Sequence, residues 1–464
     1  MGHRQKIRWA GLFLAVLFIL TSMSTPFREY LAFPSQMRLF SGHGKEIHLT
    51  MPATATVTFS DPSMLEVKGA KNRLDLRKPF TVMTKNLGRS HFTLRLFGKL
   101  PLKKVMVEVL PDVRVIPGGQ SIGVKLKSKG VLVVGHHMVQ SSKPSPGEKA
   151  DIRIGDLILE MDGKRVTEAK EIGPIVDQAG KEKKGISVLL QRGNEQRRTT
   201  LIPEQDPRGG SFRIGLYVRD TAAGVGTLTF YDPKKKSYGA LGHVITDVDT
   251  GKQIQVGGGK IVHSNVTSIQ KGASGDPGEK RAIFFREDQV LGSIARNTPF
   301  GVFGRMEKNP DKGLYQNPVP VALAEEVKEG PAQILTVVQG QKVERYDIEI
   351  AHLIHQKFPA TKGMIIKVTD PRLLNKTGGI VQGMSGSPIM QDGKLVGAVT
   401  HVFVNDPTSG YGTYIEWMLK DAGVLETAGF LKKPAVFFGK SVQSGRNGLS
   451  GVESMYKKRN ECIT

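Results

Sequence analysis

Apolar and polar residues alternate along much of this chain. Between residues 27 and 110 the runs "TATVTF", "KPFTVMT", "SHFTLRLF" and "KKVMVEVL" each carry apolar residues at about every second position, and turn residues separate them. Period two turns one face of a strand inward, so the pattern predicts a small β-rich domain over 26–110. No catalytic residue types cluster there. Spacing, inhibition or docking are its expected roles.

The pattern then becomes mixed. "PGGQSIGVKLKSKGVLVVGHH" is a glycine loop followed by strands. "EKADIRIGDLILEMDGKRV" predicts a short helical piece, a turn, a strand and a hairpin turn at Asp162-Gly163. Thr167 is placed to cap a following helix, on which Ile172, Ile175, Val176 and Ala179 make one apolar face. "GISVLLQRGNEQRRTTLIPE" closes the unit as a hairpin. The unit, 111–206, resembles the PDZ domains of bacterial proteases. The resemblance implies a groove between a strand and that helix, where an extended peptide adds as an extra strand. It also places Ser121, Ile122, Gly123 and Val124 where backbone N–H groups hold a peptide's terminal carboxylate, with Gly123 leaving room for the approach.

Residues 207–429 are rich in glycine and in short strand-like runs. "FRIGLYVRD", "GVGTLTFYD", "KRAIFFRE", "QILTVVQG", "GMIIKVTD" and "LVGAVTHVFV" are strand candidates, and helical periodicity waits until "YIEWMLKDAG". Many short strands with Gly and Asn/Asp turns predict barrels or a sandwich, so the chain as a whole reads as mainly β. From residue 430 to 464 mixed turn residues and a basic end predict a tail.

The N-terminus adds a location. Arg4, Lys6 and Arg8 precede an uncharged run from Trp9 to about Met23. This is the pattern of a signal peptide or signal anchor over 1–25, with the basic end cytoplasmic and the rest exported. No clear A-x-A site follows, which favours an anchor. Lys and Arg number 66 against 43 for Asp and Glu, a net charge of +23. That balance suits nucleic acid, anionic lipid or an acidic partner. The charge is spread out, however, and no nucleic-acid motif is present, so no nucleic-acid partner is expected. The single cysteine, Cys462, excludes an intrachain disulfide framework and a multi-cysteine zinc site.

The chemistry centres on "GMSGSP". A serine nucleophile needs a base, an orienter for the base, and donors aimed at the developing oxyanion. The glycines allow a tight turn in which the N–H groups of Gly383 and Ser385 point into one hole. The turn is similar to the G-x-S-G-G/S-P motif of chymotrypsin-like peptidases, which implies a double β-barrel domain. Of the eleven histidines, His243 in "YGALGHVITD" is the best base, while His263 and His401 stay open. Asp370, ending the strand "GMIIKVTD" before a proline, is the candidate orienter; an ordinary Asp-Pro turn is the alternative. Asp247 and Asp249 lie too close to His243 in sequence to be first choices.

"GALGHVITD", "FPATKGMIIKVTDPRLL" and "GGIVQGMSGSPIMQDGKLVGAVTHVFVNDPTSGYGTYIEWML" together resemble the stage IV sporulation protein B family of serine peptidases of endospore-forming bacteria. The resemblance implies His243 as general base, Asp370 as orienter and Ser385 as nucleophile, with no metal or organic cofactor. It implies an enzyme secreted by the forespore into the space between two membranes, anchored or released after processing. Its implied substrates are its own chain and a membrane-bound regulator of an intramembrane metalloprotease, whose cutting triggers a late sigma factor. Two features depart from pattern. Met384 stands where chymotrypsin-like enzymes usually have Asp, which removes the zymogen ion pair, and the tail after about residue 430 extends beyond the family. The competing readings are a catalytically inactive PDZ scaffold that binds protein tails at a membrane surface, and a basic structural protein of such a surface.

Overall fold

The computed structural model describes residues 9, 11–13 and 24–426, apart from 52, 69–72, 141–143, 208, 285–288 and 357. Most of the expected anchor and all of the 430–464 tail lie outside the described residues. Among those described, no helix is long and apolar enough to cross a membrane. The chain divides into two compact units, one up to Val113 and one from Arg114 to Val424.

The first unit is the β-rich domain. Its five-stranded sheet runs Gln36–Phe40, Leu100–Leu110, Gly88–Leu96, Thr54–Phe59, Arg73–Asp75, and a three-stranded sheet runs Gly44–Ile47, Phe80–Thr84, Leu65–Val67. Period two is realised in the packing: Val105 and Val107 are buried while Met106 between them is exposed. Phe92, Leu94, Val57 and Val82 complete one shared core.

In the second unit the strand Ser121–His136 is a spine. Its first half pairs with Leu216–Asp232 on one side and Val256–Gln270 on the other. Its second half pairs with Leu157–Met161 and with the start of Leu216–Asp232. Residues 216–232, two strand candidates by sequence, are therefore one strand of 17 residues. The strand order around this spine forms a large mixed-origin sheet. Beyond it, Gly330–Val337, Val343–Leu353, Met364–Val368, Asp406–Tyr414, Lys394–Phe403 and Pro388–Gln391 form a closed barrel in that order. Of the two barrels expected, this second one is closed. The first is part of a sheet that continues into the module over 111–206.

That module follows the predicted order. Asp162 (φ 48°) and Gly163 (φ 75°) make the hairpin turn between Met161 and Lys164. Both values are positive, as a two-residue type I′ turn requires. The helix Ile172–Lys181 buries Ile172, Val176 and Ala179 against Val131, Val133 and Ile158. Thr167 is not its cap. A 3₁₀ turn, Ala169–Glu171, intervenes, and the Glu171 carboxylate accepts from the Thr167 and Glu168 amides.

The carboxylate loop expected at Ser121–Val124 is also corrected. Ile122, Gly123 and Val124 lie mid-sheet, paired with Gly224–Gly226 on one side and Ile261–His263 on the other, Ser121 pairs with Thr227, and all four are buried. Among the described residues, neighbouring strands occupy both edges of Ile122–Val124, where a peptide would have to add. The space beside Gly123 is filled by the Phe284 ring.

Candidate active site

Ser385 sits on the turn that leads into Pro388–Gln391, and backbone bonds shape this turn almost completely. The Thr227 amide donates to the Ser385 carbonyl at 3.0 Å. The Thr227 hydroxyl donates to the Gly383 carbonyl at 2.9 Å, and the Thr229 hydroxyl to the Gly386 carbonyl at 2.8 Å. With those carbonyls drawn one way, the intervening amides face other directions. Met384 N–H is taken by Val381, Gly386 N–H by Val399 and Ser387 N–H by Met384. The amides of Gly383 and Ser385 have no acceptor among the described residues. Two free N–H groups flanking a serine hydroxyl are what an oxyanion needs. Gly386 has φ +91°, and a Cβ there would collide with the Thr227 carbonyl and the Leu241 amide. That position therefore demands glycine.

Ser385 and His243 line one cavity of about 600 Å³, whose walls include Ala222–Val225, Lys280 and His401. His243 follows the strand Ser237–Ala240 and is partly buried. Its Nδ1 lies 2.8 Å from the Val244 carbonyl oxygen. A carbonyl only accepts, so Nδ1 carries the proton and Nε2 keeps its lone pair. Burial lowers the imidazole pKa, partly offset by that hydrogen bond. His243 is therefore neutral near pH 7, as a general base must be. The Ser385 hydroxyl donates to the Thr400 carbonyl at 2.8 Å rather than to His243. In this arrangement the serine proton is held by Thr400 and not by the base.

Asp370 is not the orienter in this structure. It is the N-cap of the helix Pro371–Thr377 and accepts from the Arg372 amide at 2.8 Å. It also accepts from the Arg372 guanidinium at 2.7 Å and the Asp347 amide at 3.2 Å. Arg372 is the main cause of its lowered pKa. Its carboxylate is fully engaged at the start of a helix, and it is absent from the cavity wall. The Asp-Pro turn, an alternative on sequence alone, is what forms. The Val244 carbonyl instead holds the base's tautomer.

Three further groups belong to the site. His401, left open by the sequence, has its ring centroid 5.3 Å from that of His243. Its Nδ1 is buried with no hydrogen-bond partner in the structure. Burial, reinforced by His243, pushes its pKa down to about 4. Lys280 is fully buried, donates to Thr336 Oγ1 at 2.8 Å, and has its pKa pushed down to about 7 by burial. Its stem packs behind Gly383. Thr227 and Thr229 escaped sequence reasoning, although two polar residues on the buried face of "GTLTFYD" were the available signal. Met384 is buried in the barrel core, so no acidic side chain is present there to pair with a new N-terminus.

A serine in an oxyanion turn, a neutral imidazole in the same cavity and a closed β-barrel behind them define the class: the chain is a serine peptidase. Residues 210–419, a little under half of the chain, match the family described as SpoIVB peptidase S55, and over this segment the chain is similar to that family. The PDZ domain of the SdrC-like protein of Listeria monocytogenes is similar at 18% identity, over 19% of this chain and 87% of that one, with a TM-score of 0.17. The Rv3671c protease of M. tuberculosis in its active form is similar at 16% identity, over 45% of this chain and 78% of that one, with a TM-score of 0.25. An inactive form of the same protein matches over 43% of this chain and 82% of that one, with the same identity and TM-score.

Proposed function

We propose that the chain cuts peptide bonds with Ser385 as nucleophile and His243 as general base. The carrying observation is the turn whose Gly383 and Ser385 amides are left free beside the serine while its other amides are engaged. The Ser385 hydroxyl swings from the Thr400 carbonyl to His243 Nε2. Its oxygen attacks the scissile carbonyl carbon as the proton passes to Nε2, and the carbonyl oxygen becomes an anion held by the two amides. Collapse expels the amine, which takes the proton from Nε2 and leaves an acyl ester on Ser385. Water attacks that ester, gives a proton to His243, and the acid product leaves with Ser385 restored. Val244 holds the Nδ1 proton throughout.

The resemblance to the stage IV sporulation family extends the proposal. The substrates would be the chain itself and a membrane-bound regulator of an intramembrane protease, met in the space between two membranes, with the N-terminal segment as anchor. Peptide binding by the PDZ-type module would fall at Leu216–Arg219 rather than Ser121–Val124. That segment pairs with Leu132–His136 on one edge only, among the described residues. Leu216 and Val218 pack on the same core as Ile175 of the helix Ile172–Lys181, which is the strand-and-helix pairing that receives an added strand.

The test uses the full chain as wild type and as Ser385→Ala. Both are treated with a fluorophosphonate probe, the label is located by mass spectrometry, and self-cleavage is followed on gels. Label on Ser385, with clipping lost in the variant, is the expected result. A wild-type chain that neither labels nor clips would return the molecule to the scaffold reading.

A further inference from the structure

The loop that carries His243 is tied by side chains to the strand Leu216–Asp232 and to the PDZ-type module. Its anchor is Asp247, whose side chain is fully buried and which accepts from the Thr250 amide and hydroxyl, each at 2.9 Å. The other carboxylate oxygen accepts from Arg219 Nη1 at 2.5 Å, and Arg219 Nη2 lies 2.6 Å from Asp249. Burial opposes the charge on Asp247, yet the Thr250 and Arg219 hydrogen bonds hold its pKa below the ordinary carboxylate value. The carboxylate is thus ionised, and Arg219 is the cation that neutralises it. A second tie runs from Lys252 Nζ to the Gly155 carbonyl of the PDZ-type module at 3.3 Å.

Arg219 also has a particular place on its own strand. It pairs with Leu132 of the PDZ-type module. Eight residues further along the same strand, Thr227 grips the nucleophile turn. One strand therefore touches both halves of the site, the base loop through Arg219 and the oxyanion turn through Thr227 and Thr229.

We propose that Arg219 is a positioning residue for the general base: by fixing Asp247 it sets the loop that aims His243 at Ser385, and it makes the PDZ-type module a working part of the peptidase site. The inference rests on Ser385 and His243 doing the chemistry. Displacing an imidazole by a fraction of an ångström costs rate rather than substrate affinity. Loss of Arg219 should therefore lower the maximal rate and leave half-saturation little changed.

The full chain is compared as wild type, Arg219→Gln, Arg219→Lys, Asp247→Asn and the Gln/Asn double variant. Fluorophosphonate labelling of Ser385 is measured against probe concentration, with thermal unfolding alongside. Arg219→Gln is expected to lower the maximal labelling rate about 10- to 100-fold, with half-saturating probe concentration within about twofold of wild type. Arg219→Lys should recover part of that rate. Asp247→Asn keeps an oxygen for Thr250 but loses the anion and the acceptor for Arg219; it should fall similarly, with the double variant no worse than either single one. Arg219→Gln labelling at the wild-type rate overturns the proposal. So does a loss that follows unfolding and moves rate and half-saturation together. A wild-type chain that takes no label removes the peptidase reading and this inference with it, a result distinct from equal labelling of wild type and variant.

Discussion

The two halves of the site are held in different ways. The nucleophile half is fixed through its own main chain: the Thr227 amide and the Thr227 and Thr229 hydroxyls hold its carbonyls, and amides turned on Val381, Val399 and Met384 leave two N–H groups of the turn without an acceptor among the described residues. The base half depends on side chains. Asn297 donates to the Ile245 and Ile254 carbonyls and accepts from the Ile245 amide, while Arg219 neutralises Asp247. A turn whose carbonyls and amides are nearly all engaged is complete whenever the chain folds. A loop held by side chains can be shifted by whatever moves those side chains. The base half is therefore the part that a change in side-chain contacts would move, while the Ser385 hydroxyl donates to the Thr400 carbonyl and not to the base.

The largest expected effect tests the first half. Ser385→Ala should lower peptide cleavage by roughly 10³- to 10⁶-fold, measured by single-turnover kinetics with unfolding unchanged. A loss of only a few fold would mean that the cleaving group lies elsewhere. Gly386→Ala comes next. A residue with a Cβ at φ +91° costs about 1–3 kcal/mol before its collision with the Thr227 carbonyl is counted. Both labelling and thermal stability should fall, because the turn and the strand Leu216–Asp232 must move apart. A Gly386→Ala chain with wild-type labelling would show that the turn is softer than its bonding suggests.

Thr227→Val leaves the Gly383 carbonyl without its hydroxyl donor. A buried acceptor left unpaired costs about 1–3 kcal/mol, so labelling should drop roughly tenfold if that bond fixes the peptide plane that lies between the two oxyanion amides. An unchanged rate with lowered stability would assign Thr227 to the fold alone.

How much of this was legible beforehand follows the same division. The nucleophile turn could be read because its chemistry is local: glycines, a serine and a proline within a few residues dictate a turn with free amides. The alternation over 26–110 and the face made by Ile172, Val176 and Ala179 were legible for the same reason, since period fixes which side is buried. Roles set through space were not legible. Asp370 ends a strand before a proline equally well whether it serves an imidazole or caps a helix, and only the fold chose the cap. "SIGV" carries the residues of a carboxylate loop, yet the neighbouring strands Leu216–Asp232 and Val256–Gln270 claim both its edges. Arg219 gave no signal at all. Its partner Asp247 was set aside for its nearness to His243 in sequence, and that nearness is what lets it hold the base's loop.

Asp370→Asn separates the halves at smaller amplitude. As a helix cap bound to a mostly exposed arginine, it should cost about 1 kcal/mol of stability and leave the labelling rate within about twofold. A thousandfold loss of rate with unchanged stability would mean that Asp370 reaches His243 in the working enzyme. The base half would then rearrange much further than a rotation of Ser385.

The smallest effect concerns His401 and pH. Burial lowers the His243 pKa, so the acid limb of kcat/KM should fall below the ordinary imidazole value of 6.5. His401 goes further, to about 4, and is uncharged wherever the base works. An uncharged neighbour does not repel the imidazolium that forms on His243 during attack, so His401→Gln should change the rate at pH 7 by less than about tenfold. Its mark should appear in stability instead. The folded chain resists protonating His401 until about pH 4, whereas the unfolded chain takes that proton near 6.5. The contribution is therefore fully present above 6.5 and is lost as pH falls towards 4. Denaturation midpoints should drop between pH 7 and pH 4.5 more steeply in wild type than in His401→Gln. Equal slopes would show that the ring opens to solvent as the acid is added, and that the packing of His401 against His243 yields as readily as the loop on which the base stands.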